Sequence, residues 1–114
     1  MDLGKYRSKI REFANKRDWD QFHDPKNLAM ALSAEIGELL DIFQWLTSDQ
    51  SKNLSDKDVK LAKQELGDIM IYLIRLSDKL GIDIEQAVID KMKINEEKYP
   101  IELSKGNSTK YNKR

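Results

Sequence analysis

An all-α bundle of four to five helices is the fold this 114-residue sequence predicts, on three observations. Apolar residues recur at spacings of three and four along four segments, the period of a helix with one buried face. No segment alternates apolar and polar residues long enough to propose a strand. Helix start and stop residues stand at the segment ends: Asp24–Pro25, Ser55 with Asp58, Gly81, Asp83 with Gln86, and Pro100. The length is that of one domain, read as residues 1–101 followed by a mobile polar tail over 102–114.

The first helix runs from Leu3 to about Lys16, with Leu3, Tyr6, Ile10 and Phe13 on one face. The stretch DWDQFHD (18–24) breaks the period and gathers two aromatic residues and the only histidine, His23, into a loop. Asp24 then caps a second helix, Pro25 to about Leu46, with proline where the first helical N–H needs no partner. TSDQSKNLS (47–55) reads as a polar connection. Ser55 and Asp58 have capping-box spacing and open a third helix that Gly81 ends at Leu80, with Lys79 in its last turn. Asp83 and Gln86 open a fourth, carrying Ile84, Val88 and Met92 and closing before Pro100.

Twenty basic and twenty acidic residues cancel, so no bulk charge argues for a nucleic-acid or membrane-surface partner. The absence of cysteine excludes disulfides, thiolate catalysis and zinc fingers. MDLGKYRSKIR lacks the apolar centre of a signal peptide, and the expectation is a soluble, cytoplasmic protein.

Two segments carry the chemistry. In SAEIGELLDIFQW (33–45), Ala31, Glu35, Glu38, Ile42 and Trp45 fall on one helical line; in ELGDIMIY (65–72), Leu61, Glu65, Asp68 and Tyr72 form its counterpart. EIGEL and ELGDI share acid, apolar, glycine, acid and apolar in register, the pattern of a duplicated helix pair, and the mid-helix glycines suit close helix approach. Carboxylates inside an apolar stripe are costly without a cation. Oxygen-only ligation selects magnesium or manganese, which bridge to phosphate oxygens, so a phosphorylated substrate follows. The plain alternative for either pair is the solvated edge of a helix; two pairs in matched context favour convergence. A di-iron carboxylate site needs Glu-x-x-His on two helices, and His23 lies outside both. The second helix is apolar on two sides, with Leu32, Ile36, Leu39 and Phe43 on one and Ala31, Ile42 and Trp45 on the other, which predicts a homo-oligomer, dimer or tetramer.

The E-x-x-E and E-x-x-D pairs, separated by twenty-six residues, together with FANKRDWDQFHDPKNL (13–28), GELLDIFQW (37–45), ELGDIMIYL (65–73), DKMKINEEKYP (90–100), Lys110 and Tyr111, resemble the all-α nucleoside triphosphate pyrophosphohydrolases, the MazG-like group, and within it the dCTP-hydrolysing branch. The resemblance implies hydrolysis of a nucleoside triphosphate, dCTP or a modified relative, to the monophosphate and pyrophosphate, as nucleotide-pool cleaning. It implies that Glu35, Glu38, Glu65 and Asp68 bind Mg²⁺, with Mn²⁺ as a substitute; one of the four, Glu38 being the choice here and Glu35 the other catalytic candidate, is read as acting instead as the general base. Trp19, Trp45 and Tyr72 match residues that hold the base; Lys91, Asn95, Lys110 and Tyr111 match phosphate or base contacts. His23 is read either as facing the substrate or as fixing its loop, and Arg17 either as a phosphate contact or as a charge at a helix end. The pattern departs at Ile10, where the branch has a histidine, and at Lys93, where it has an aspartate, and both departures bear on cytosine preference. A catalytically silent nucleotide-sensing bundle is the alternative function.

Overall fold

The structure, a computed structural model, describes residues 1–108, and Lys110 and Tyr111 lie outside them. Six helices and one short 3-10 turn make up the described chain, with no strand among the described residues. They are α1 (Leu3–Lys16), the 3-10 turn Asp20–Phe22, α2 (Pro25–Phe43), α3 (Ser48–Ser51), α4 (Asp56–Leu80), α5 (Ile84–Lys98) and α6 (Ile101–Ser104). None is long and apolar enough to cross a membrane.

Each boundary has a local cause. Asp2, Asp24, Ser55 and Asp83 accept the third-residue N–H of α1, α2, α4 and α5 in turn, satisfying donors that the helix itself leaves unpaired. The 47–55 connection is more ordered than its polar composition predicts. Thr47 and Gln50 form a reciprocal capping box around the single turn of α3. α4 ends in a Schellman motif: Gly81 adopts φ +67°, its N–H reaches the Asp78 carbonyl, and the Ile82 N–H reaches Ser77. α1 closes the same way, with Asp18 in the left-handed position at φ +54° and the Trp19 N–H on the Ala14 carbonyl at 2.9 Å. That closure folds the aromatic loop back onto α1.

The chain divides into two units, Met1–Ile82 and Asp83 onward. In the first, α2 and α4 pack along most of their lengths and α1 rests on α4. Leu28, Ala14 and Ile74 are its fully buried apolar residues. Leu32, Leu39, Ile42 and Phe43 of α2 and Ala62, Ile69, Tyr72 and Leu73 of α4 are half-buried along the seam. The second unit holds α5 and the turn of α6, which follows Pro100 where the sequence predicted only a tail.

The opposite faces of α2 and α4 stay open. Met30, Ile36 and Leu40 on α2, and Val59, Leu66 and Met70 on α4, are all exposed. A Cβ added at Gly37 or Gly67 would meet nothing within 4 Å, so neither glycine serves a close helix approach within the described chain.

Candidate functional site

Glu35 and Glu65 sit half-buried on the α2–α4 seam, and Glu38 lies one turn past Glu35 at its exposed edge. Each of the three offers a carboxylate oxygen, and these oxygens all lie within 4.8 Å of one another. Glu35 Oε2 and Glu65 Oε2 are buried and receive no hydrogen bond. A buried acceptor without a donor costs about 1–3 kcal/mol, so something must satisfy this pair. In the metal-free chain a proton can do so: the close Glu65 carboxyl, then burial, then the neighbouring Glu38 and Asp68 push the Glu35 carboxyl up to about 7. A divalent cation would replace that proton. Three hard oxygen donors with two orphaned lone-pair sets fit magnesium or manganese and offer nothing to a soft metal.

Asp68, one turn beyond Glu65 and exposed, faces both ways: its charge raises Glu35, and its side chain lines a neighbouring cavity of about 260 Å³. Phe13, Trp19 and Tyr72 supply the aromatic walls of this cavity, Ile10, Ala14 and Ile71 the aliphatic ones, and His23 and Arg75 the remaining polar groups. The left-handed Asp18 sets Trp19 edge-on to Phe13, with ring centroids 5.7 Å apart. Gln21 holds that turn by donating to the Asp18 carbonyl and carboxylate at 3.0 Å each. Ile10 forms part of the lining, which puts the departure from the dCTP-hydrolysing pattern inside the pocket.

Arg75 is the residue that sequence reasoning missed. It is buried, 4% exposed, and its guanidinium donates to Asp20 Oδ1 at 2.7 Å and to His23 Nδ1 at 3.2 Å. Asp78, one turn on, is clasped by Arg11 through two hydrogen bonds, and Lys79 joins Arg75 on Asp20. These contacts hold both aspartates below the usual carboxylate range, Asp78 chiefly through Arg11 and Asp20 chiefly through Lys79. Burial and then the Arg75 and Lys79 charges depress His23. The signal for Arg75 was present: it extends the Glu65, Asp68, Tyr72 stripe by one more step of three.

The other predicted residues lie elsewhere. Trp45 follows the end of α2, 86% exposed, and does not line the cavity. Lys91 and Asn95 sit four apart on exposed positions of α5, in the second unit, with Lys93 between them. Arg17 stacks 3.6 Å above the Phe13 ring and donates to the Phe13 carbonyl at the end of α1.

Comparison with known proteins places the chain among relatives of known family. The chain is 43% identical over 102 residues to dCTP pyrophosphatase 1 of Mus musculus and 42% identical to that of Homo sapiens, in each case across 88% of its own length. It spans 60% of the length of these curated relatives. A crystal structure of a pyrophosphatase from Archaeoglobus fulgidus superposes with a TM-score of 0.83 at 39% identity, over 88% of this chain and 94% of that one. The profile of the MazG-like family matches residues 30–113, a span that includes all four carboxylates, and the chain belongs to that family.

Proposed function

We propose that the chain is a magnesium-dependent nucleoside triphosphate pyrophosphohydrolase, acting on dCTP or a modified dCTP and clearing such nucleotides from the cytoplasmic pool. The observation that carries this reading is the convergence of Glu35, Glu38 and Glu65, two of whose oxygens are buried without donors, beside an aromatic cavity that shares Asp68 with them. The names of the relatives, dCTP pyrophosphatase 1 and a pyrophosphatase, support the same chemistry.

Magnesium, or manganese in its place, held by Glu35, Glu38, Glu65 and Asp68, would supply positive charge against the triphosphate and make water a better nucleophile. Glu38, exposed at the edge of the cluster, is the one of the four that would instead act as the general base and take the proton of the attacking water. Trp19 and Tyr72 give the base a flat apolar wall, and the half-buried surroundings of Glu35 and Glu65 limit competing water. Lys91, Asn95, Lys110 and Tyr111 are assigned to the phosphates or base on resemblance.

The open apolar faces of α2 and α4 support assembly of copies into a dimer or tetramer. Trp45 offers a second aromatic surface for such an assembly to bury beside the base.

Pyrophosphate release from a panel of nucleoside triphosphates with magnesium tests the reading. Release with dCTP or its 5-substituted forms ahead of other nucleotides is the expected result. Nucleotide binding without release from any member would instead make the chain a sensing module.

A further inference from the structure

An arginine side chain can only donate hydrogen bonds. His23 Nδ1 stands 3.2 Å from Arg75 Nε and must therefore be the unprotonated, accepting nitrogen of a neutral ring. The ring proton is left on Nε2. Arg75 is itself immobilised: it is buried, and Asp20 and Asp78 lie against the other arms of its guanidinium at 2.7 and 3.7 Å. The surroundings of the imidazole together disfavour a second proton. Arg75 and Lys79 repel a second proton, and burial opposes it more strongly still, while Asp20 alone favours it. Trp19 meets the ring edge-on at 6.3 Å. No described residue hydrogen-bonds Nε2, and His23 lines the cavity assigned above to the base.

We infer that Arg75 is a positioning residue for specificity: it locks His23 as the Nε2–H tautomer, so that the cavity receives from His23 a hydrogen-bond donor, suited to the unprotonated ring nitrogen or carbonyl oxygen of a pyrimidine. The inference rests on the nucleotide reading for its ligand but not for the lock, which belongs to the ligand-free protein. It also supplies a polar reader in a pocket where Ile10 offers none.

Because His23 is the only histidine, a long-range proton–nitrogen correlation spectrum of the full chain reports its tautomer without ambiguity. The expected spectrum at neutral pH is that of a single Nε2-protonated ring. An Nδ1-protonated ring, or an averaged mixture, overturns the lock whatever the enzyme does. Arg75→Met should move the ring toward the mixed pattern while Arg75→Lys, which keeps a donor, restores the Nε2–H form in part. With dCTP and magnesium, Arg75→Met should raise KM about three- to tenfold, the range for one hydrogen bond, with kcat nearly unchanged. His23→Gln presents an amide donor that needs no tautomer, so in that background the same arginine change should leave KM within about twofold, less than the range expected for losing one hydrogen bond. An equal rise in KM in both backgrounds would show that Arg75 acts by direct contact or through the fold, and the specificity role would fall. Absence of turnover with every nucleotide would count against the pyrophosphohydrolase reading, with the spectrum still deciding the lock.

Discussion

Glu35 concentrates the residue-scale chemistry, because its carboxyl is held protonated to about pH 7 when no cation is near. Its folded pKa lies above the unfolded 4.5, so the native metal-free chain binds more protons across that window and loses stability as pH rises from about 4.5 to 7. Divalent cation should reverse the trend. The rise in Tm on adding manganese should be larger at pH 8 than at pH 5, and Glu35→Gln should flatten the metal-free slope while abolishing most of the manganese gain; equal gains at both pH values would contradict the assignment. Glu38→Gln leaves the size and the exposed position unchanged, so turnover should fall by about 10²–10⁴ with Tm nearly unaffected, as expected for loss of a general base. Pyrophosphate release and thermal unfolding on one preparation check both halves.

At the scale of elements, two left-handed closures decide where side chains arrive. The Gly81 closure takes a residue type that adopts φ > 0 freely, whereas the Asp18 closure forces an L-residue into the same region at about 1–2 kcal/mol. Asp18→Val adds a β-branched side chain there and removes the carboxylate that Gln21 grips. Urea unfolding should show a loss of about 1–2 kcal/mol, and KM for the nucleotide should rise because Trp19 loses its position. The α1 terminus also explains why the DWDQFHD loop belongs to the site: Asp20 and His23 reach Arg75 on α4, so loop and long helix are tied through one guanidinium.

For the molecule as a whole, the open faces of α2 and α4 are the dominant unexplained feature of a single copy. Met30, Leu40 and Leu66 are each more than half exposed on long helices, an arrangement that isolated soluble domains seldom leave bare. Light scattering should give a mass of at least two chains, and Leu40→Glu should shift it toward one; a wild-type monomer at micromolar concentration would remove the assembly reading.

What the sequence by itself determined is the four long helices, most of their caps and the presence of two acidic helices with matched spacing. These are written in local spacing: an Asp or Ser three residues before a free N–H, a glycine at a left-handed position, and acids at one-turn intervals. Even the missed α3 cap, Thr47 with Gln50, obeys a local rule, as does the step from Tyr72 to Arg75. Only the tertiary structure decided that Glu35, Glu38 and Glu65 close to within 4.8 Å while Asp68 also lines the neighbouring cavity, that Trp45 does not line it, and that His23 meets Arg75 from fifty-two residues away. Helical periodicity states which residues share a face; which face meets which neighbour, and how far each carboxylate is taken from water, depends on packing between segments that are distant in the chain.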